Sequence, residues 1–166
     1  ATVADSMGYV PGKSSNRSAG LLPYRRGDHL EVFLVHPGGP FFTRKDDGAW
    51  TVAKGEYDGA EDPLDAAIRE FGEETGFAAT GPFLPLGEIT QRGGKVVTAW
   101  AFAGEFDPSR LTSNTFTMEW PRGSGTVREF PEVDRGGWFT LSAAREKLLK
   151  SQQPFLDRLQ IALLTP

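Results

Sequence analysis

Residues 55–77 read Gly-Glu-Tyr-Asp-Gly-Ala-Glu-Asp-Pro-Leu-Asp-Ala-Ala-Ile-Arg-Glu-Phe-Gly-Glu-Glu-Thr-Gly-Phe. Asp62 followed by Pro63 marks a helix start, because a carboxylate can accept from a free first-turn N–H and proline has no N–H to waste there. Gly76 marks the stop. Between them Leu64, Ala67, Ile68, Phe71 and Thr75 fall at i, i+3, i+4, i+7 and i+11, one core-facing stripe. Away from the centre of that stripe, Glu70, Glu73 and Glu74 share another face. Like charges at this spacing repel by about 0.2–0.5 kcal/mol per pair, and the helix C-terminus disfavours carboxylates by about 0.3–1 kcal/mol. A bound cation reverses both penalties, and three hard oxygen donors beside phosphate chemistry suit Mg²⁺. The bland alternative is a solvated acidic face partly neutralised by Arg69.

Working outward, 18–26 and 30–36 read as paired strands around the turn signal Gly27-Asp28. The run 95–106 places Val96, Thr98, Trp100 and Phe102 on one side and Val97, Ala99 and Ala101 on the other, so both faces are covered. Residues 115–120 alternate as a strand with one wet face. Helical periodicity returns over 141–150 and again over 154–164. Strands interspersed with helices predict a layered α/β domain.

With 166 residues, 39% of them hydrophobic, the chain suits one ordinary domain and excludes intrinsic disorder. The expected division is a mobile arm over 1–17 and one domain over 18–166. No apolar stretch approaches the ~20 residues of a membrane helix, and 1–17 lack the apolar centre of a signal peptide. A cytoplasmic protein without membrane partner is the default expectation. The net charge of −4 gives no global attraction to nucleic acid, so a phosphate-bearing ligand needs a local device. Without cysteine and with two histidines, thiolate chemistry and His-rich metal sites are excluded. Oligomeric state is not readable.

The wider pattern is Gly55, five residues, Glu61, seven residues, then Arg69-Glu70-Phe71-Gly72-Glu73-Glu74-Thr75-Gly76-Phe77. It resembles the Nudix box at every specified position. Seven fixed identities at background frequencies of about 6–7% arise by chance on the order of once in a million chains. The late Trp138-Phe139 followed by a helix also looks like a Nudix domain. The resemblance implies an α/β/α sandwich with a mixed sheet, and Mg²⁺-dependent (alternatively Mn²⁺-dependent) hydrolysis of a nucleoside diphosphate linked to another group. It implies Glu70 and Glu74 as principal metal ligands, Glu73 as a further ligand or water-activating base, and Glu61, Arg69, Gly55 and Gly76 as shaping the loop–helix–loop. The Lys54 carbonyl is a further implied ligand, while Ala53 stands where many members carry proline. An extra carboxylate before the final strand is expected from Glu129 or Glu132, a choice the resemblance leaves open. The alternatives are a dinucleoside polyphosphate hydrolase, suggested by 50–55 ahead of the box, and a non-catalytic nucleotide-binding module.

The box meets only the pyrophosphate and its metals, so the nucleotide must be selected elsewhere. The expected contacts are Phe42 and Arg44 in the loop after Gly38-Gly39-Pro40, with Lys54 beside the box glycine and Tyr24, Arg25 and Arg26 as further sources. Trp100 reads as core. His29 and His36 read as structural, and Gly8 to Ser14 only imitates a phosphate-binding loop, having three residues between its glycines where four are needed.

Overall fold

The computed structural model describes residues 16–164. The Gly8 to Ser14 stretch and most of the expected arm lie outside them. In chain order the elements are β1 (Arg17–Arg26), β2 (Leu30–Pro37), β3 (Ala53–Glu56), α1 (Pro63–Thr75), β4 (Leu84–Thr90) and β5 (Val96–Ala103). A hairpin of β6 (Thr115–Glu119) and β7 (Val127–Pro131) follows, then β8 (Val133–Thr140), α2 (Leu141–Lys147) and α3 (Pro154–Leu164).

The main sheet runs β4-β5-β1-β2-β8, with β3 also paired to β1. Only β1 and β5 are parallel; the other pairings are antiparallel, so the sheet is mixed. Alternation sends residues of β5 to opposite faces. Val97, Ala99 and Ala101 pack with Ala144, Leu148, Phe155, Leu156 and Leu159 from the C-terminal helical region. Phe102, with half-buried Trp100 alongside, packs toward Ala66, Ala67 and Phe71 of α1. The result is the expected α/β/α sandwich; Trp100, read as core, is only half-buried at the margin of the α1-side cluster.

The α1 face is unusually aromatic. Phe71 meets Phe102 edge-on at 5.5 Å, Phe106 stacks on Phe77 at 4.8 Å and on Trp138 at 6.2 Å, and Phe33 lies within 6.0 Å of three of these neighbours. Such pairs add about 0.5–1.5 kcal/mol each beyond their buried area. They fix where α1, and hence its carboxylates, sits on the sheet.

One predicted element is shorter than its periodicity. The helix expected over 141–150 ends at Lys147 because Leu148 turns extended and pairs with Trp50. Trp50 N–H donates to the Lys147 carbonyl (2.9 Å) and Leu149 N–H to the Trp50 carbonyl (2.8 Å). Two cross-chain hydrogen bonds thereby replace the helical ones. Among the described residues no helix is long and apolar enough to cross a membrane.

Candidate active site

The site begins with a split edge. Ser18 to Leu21 of β1 pair with β3, whereas Tyr24 to Arg26, further along the same edge, pair with β2. β2 meets the segment before β3 only at the Val35–Thr51 bridge. A cleft of about 180 Å³ opens there, lined by Val35, Pro37, Thr51, Lys54, Glu74, Glu132 and Val133. It gathers side chains from β2, β3, α1 and the β7–β8 junction.

Helix α1 delivers its acids as its start and stop require. Asp62 accepts from Asp65 N–H (3.1 Å), and Gly76, at φ +77°, donates to the Gly72 carbonyl (2.8 Å). The buried face is wider than the apolar stripe and includes Glu70, only 3% exposed. A Cβ at Gly55 would fall inside the Glu70 carboxylate, so the box glycine is the room in which that acid sits. Arg69 then clamps the group. It grips both oxygens of Glu61 (2.8 Å each), donates to Glu70 Oε1 (2.9 Å) and reaches Glu73 at 3.3 Å. The guanidinium holds the Glu61 carboxyl below its ordinary range. The counter-charge expected of Arg69 is therefore present.

Glu74 has a different environment. Its Oε1 accepts from the Lys54 backbone N–H (3.2 Å), and burial, reinforced by Glu70 and opposed by Lys54, pushes its carboxyl up to about 8. Burial also lowers the Lys54 ammonium. Glu132 is raised by burial, with Glu70 and Glu73 adding repulsion. Among the described residues no three His, Asp or Glu side chains stand at metal-ligand spacing. The donor set nevertheless fits a hard divalent cation: hard carboxylate oxygens raise one another's proton affinity across a small cleft, and a cation would relieve that repulsion.

Glu132 is placed by backbone rather than by a helix. Glu132 N–H donates to the Asn114 carbonyl (2.8 Å), Asn114 N–H to the Glu73 carbonyl (2.8 Å), and Gly38 N–H to the Glu132 carbonyl (3.0 Å). Glu129 is exposed on β7, opposite Thr117, and does not line the cleft.

Neither Phe42 nor Arg44 lines the cleft; they lie in the adjoining loop, where Lys45 covers the Phe42 ring (5.4 Å) and Arg44 is exposed. Buried His36 anchors that loop, its ring nitrogens meeting Asp134 (2.8 Å) and the Lys45 carbonyl (2.6 Å), which is the structural role expected of it. Tyr24, Arg25 and Arg26 lie at the opposite end of β1. Five residues of strand from Gly20 to Arg25 cover roughly 16 Å, and Arg25 is engaged by Glu31, Glu105 and the Trp138 ring. Sequence reading missed Gln152, which is fully buried, accepts from Val52 N–H (2.9 Å) and donates to Gln91. It fixes the strand leading to Gly55 from a hundred residues away, and no local pattern announces it.

A roomier cavity, about 970 Å³, lies elsewhere, beside α2, with Arg92, Arg145 and Lys150 among its lining residues and Glu146 its only carboxylate. It lacks the converging acids of the smaller cleft, so size alone does not locate the chemistry.

Comparisons with known proteins agree with this fold. The NUDIX domain family profile matches residues 15–159. An Ap4A hydrolase from C. elegans superposes with TM-score 0.60 at 21% identity, over 89% of this chain and 98% of that one. The NUDIX domain of Shewanella oneidensis NrtR, complexed with ADP ribose, gives 0.61 at 14% identity over 98% and 99%. A mutT/nudix family protein from Listeria innocua gives 0.55 at 21% over 89% and 93%. No curated protein matches the sequence. At these identities the structural likeness speaks for the fold.

Proposed function

Because the chain belongs to the Nudix family, we propose that it is a Mg²⁺-dependent pyrophosphohydrolase acting on a nucleoside diphosphate linked to a second group. The observation that carries this reading is the convergence of Glu74, Lys54 and Glu132 on one cleft, with Glu70 and Glu73 behind it on α1. Ap4A and ADP ribose, named with two of the similar structures, both contain adenosine joined to a pyrophosphate. That shared unit is the substrate class proposed here.

Each side chain then has a task. Glu70 and Glu74 would hold Mg²⁺, with Glu73 and the Lys54 carbonyl as further ligands. The ion, when bound, neutralises pyrophosphate oxygens and acidifies water. Glu132, on the other wall of the cleft, accepts the proton of the attacking water; a carboxyl raised toward neutrality suits that exchange. Glu73 is the alternative acceptor. The Lys54 ammonium faces the diphosphate and offsets its charge. Arg69 and Glu61 keep α1 in register, so that attack at phosphorus is chiefly a matter of positioning and charge stabilisation.

The test is product release from a nucleotide panel with Mg²⁺ and with chelator. Phosphate-containing products with Mg²⁺ alone are expected. Binding without turnover on every member would replace this reading with the alternative, a nucleotide-binding module.

A further inference from the structure

Among the described residues Phe41 is the only aromatic side chain in the exposed class, at 46%. It is nonetheless held. Its ring meets half-buried Trp120 edge-to-face at 5.4 Å, and the Arg122 guanidinium lies 6.0 Å from its centroid. The hairpin tip carrying Arg122 is ordered by Glu119, whose carboxylate accepts from Gly123 N–H (2.8 Å) and Gly125 N–H (3.1 Å). Arg122 pairs with no carboxylate among the described residues. The loop bearing Phe41 is seated on the same hairpin: Gly39, at φ +96°, has no room for a Cβ because the Phe116 ring is there. Phe116 in turn pairs across the hairpin with Phe130.

A short stretch of chain ties this aromatic group to the cleft. Gly38 is bonded to Glu132, and Phe41 lies three residues further on, at most about 11 Å of extended chain. A nucleoside extends from its diphosphate over a separation of that order. We propose that Phe41 and Trp120, flanked by Arg122, form a stacking platform for the nucleobase of the substrate, so that this chain selects base-bearing diphosphates over base-free ones. The inference rests on the function proposed above and assigns its base-recognising residues. An exposed aromatic face beside an unpaired guanidinium offers both stacking and cation–π attraction to a heteroaromatic ring. A ring serving only to close the hairpin would be covered.

Calorimetric titration of the full chain with ADP and, separately, with inorganic pyrophosphate, both with Mg²⁺, tests this. Wild type should bind ADP more tightly than pyrophosphate. Phe41→Leu keeps the apolar contact with Trp120 but removes the ring, and Phe41→Ala removes both. Each should weaken ADP by about five- to a hundredfold, the worth of one stacked base, while pyrophosphate affinity holds. Trp120→Phe should also abolish any change in tryptophan emission on adding ADP. Unchanged ADP affinity in both Phe41 variants, or equal losses for ADP and pyrophosphate, overturns the platform and leaves the function intact. Failure of wild type to bind either probe overturns both.

Discussion

Two regions meet at the cleft and are built on opposite principles. The acidic side, from Gly55 to Gly76, is made by neighbours in sequence: one helix, one capping aspartate, one arginine clamping three glutamates. The other side, the loop after Gly38 and the β6–β7 hairpin, is made by aromatic residues meeting across about eighty positions of chain, Phe41 on Trp120 and Gly39 on Phe116. Charge at fixed spacing sets the acids relative to one another within one helix, while remote residues such as Phe102 and Gln152 set where they sit. A surface that must fit one ligand among many comes from packing between remote segments, and can vary without disturbing those acids.

The sharpest break in the comparison is Glu74→Gln. Size is kept and charge removed, so the fold should survive while turnover falls by more than about a hundredfold. The melting temperature should also stop rising with added Mg²⁺. Near-normal activity at saturating Mg²⁺ would take Glu74 out of the acidic side's chemistry. Next comes Phe71→Ala beneath the same helix, which should cost about 3–5 kcal/mol in denaturant unfolding, since the ring is fully buried. Lost activity at undiminished stability would show that the faces of α1 are exchanged.

A smaller effect is the response to pH without metal. Glu74 is raised from 4.5 to about 8, so between those values the folded protein binds more protons than the unfolded chain. Its contribution to stability is complete below 4.5 and is lost as pH rises toward 8. Wild type in chelator should therefore lose stability relative to Glu74→Gln across this window, and Mg²⁺ should flatten the difference. A difference independent of pH would contradict the assigned environment. The smallest effect is expected from Phe42→Ala with Arg44→Ala. KM or substrate ranking should shift several-fold, within the ~1–3 kcal/mol a recognition contact supplies, while Mg²⁺ affinity stays nearly unchanged. Unchanged KM and ranking would restrict recognition on this side to Phe41 and the hairpin.

What could be read in advance follows the same division. The cap at Asp62, the stop at Gly76, the acidic face and the β1–β2 turn are local, and the structure carries each of them. Glu129 and Glu132 could not be separated in the sequence, because the difference lies in a hydrogen bond from Glu132 to Asn114, eighteen residues away. Glu129 occupies the exposed side of the hairpin, where alternation with Phe130 puts it. The division of β1 between β3 and β2 was equally hidden, since one continuous apolar strand gives no sign that its edge has two partners. For the same reason Tyr24, Arg25 and Arg26 looked available to the ligand although they lie far along β1.

The bond between Glu132 and Asn114 has a consequence for how this molecule can change. The stretch from Thr115 to Pro131 leaves the body of the protein and returns to nearly the same point, its two ends paired with each other and closed at the base by that backbone link. Such a stretch behaves as a graft: it can be lengthened, shortened or exchanged for another hairpin without any strand of the main sheet being re-registered. Glu132 would remain where it is, at the scion's root. A lineage could therefore acquire a new ligand by rewriting seventeen residues while inheriting its acidic cleft unaltered.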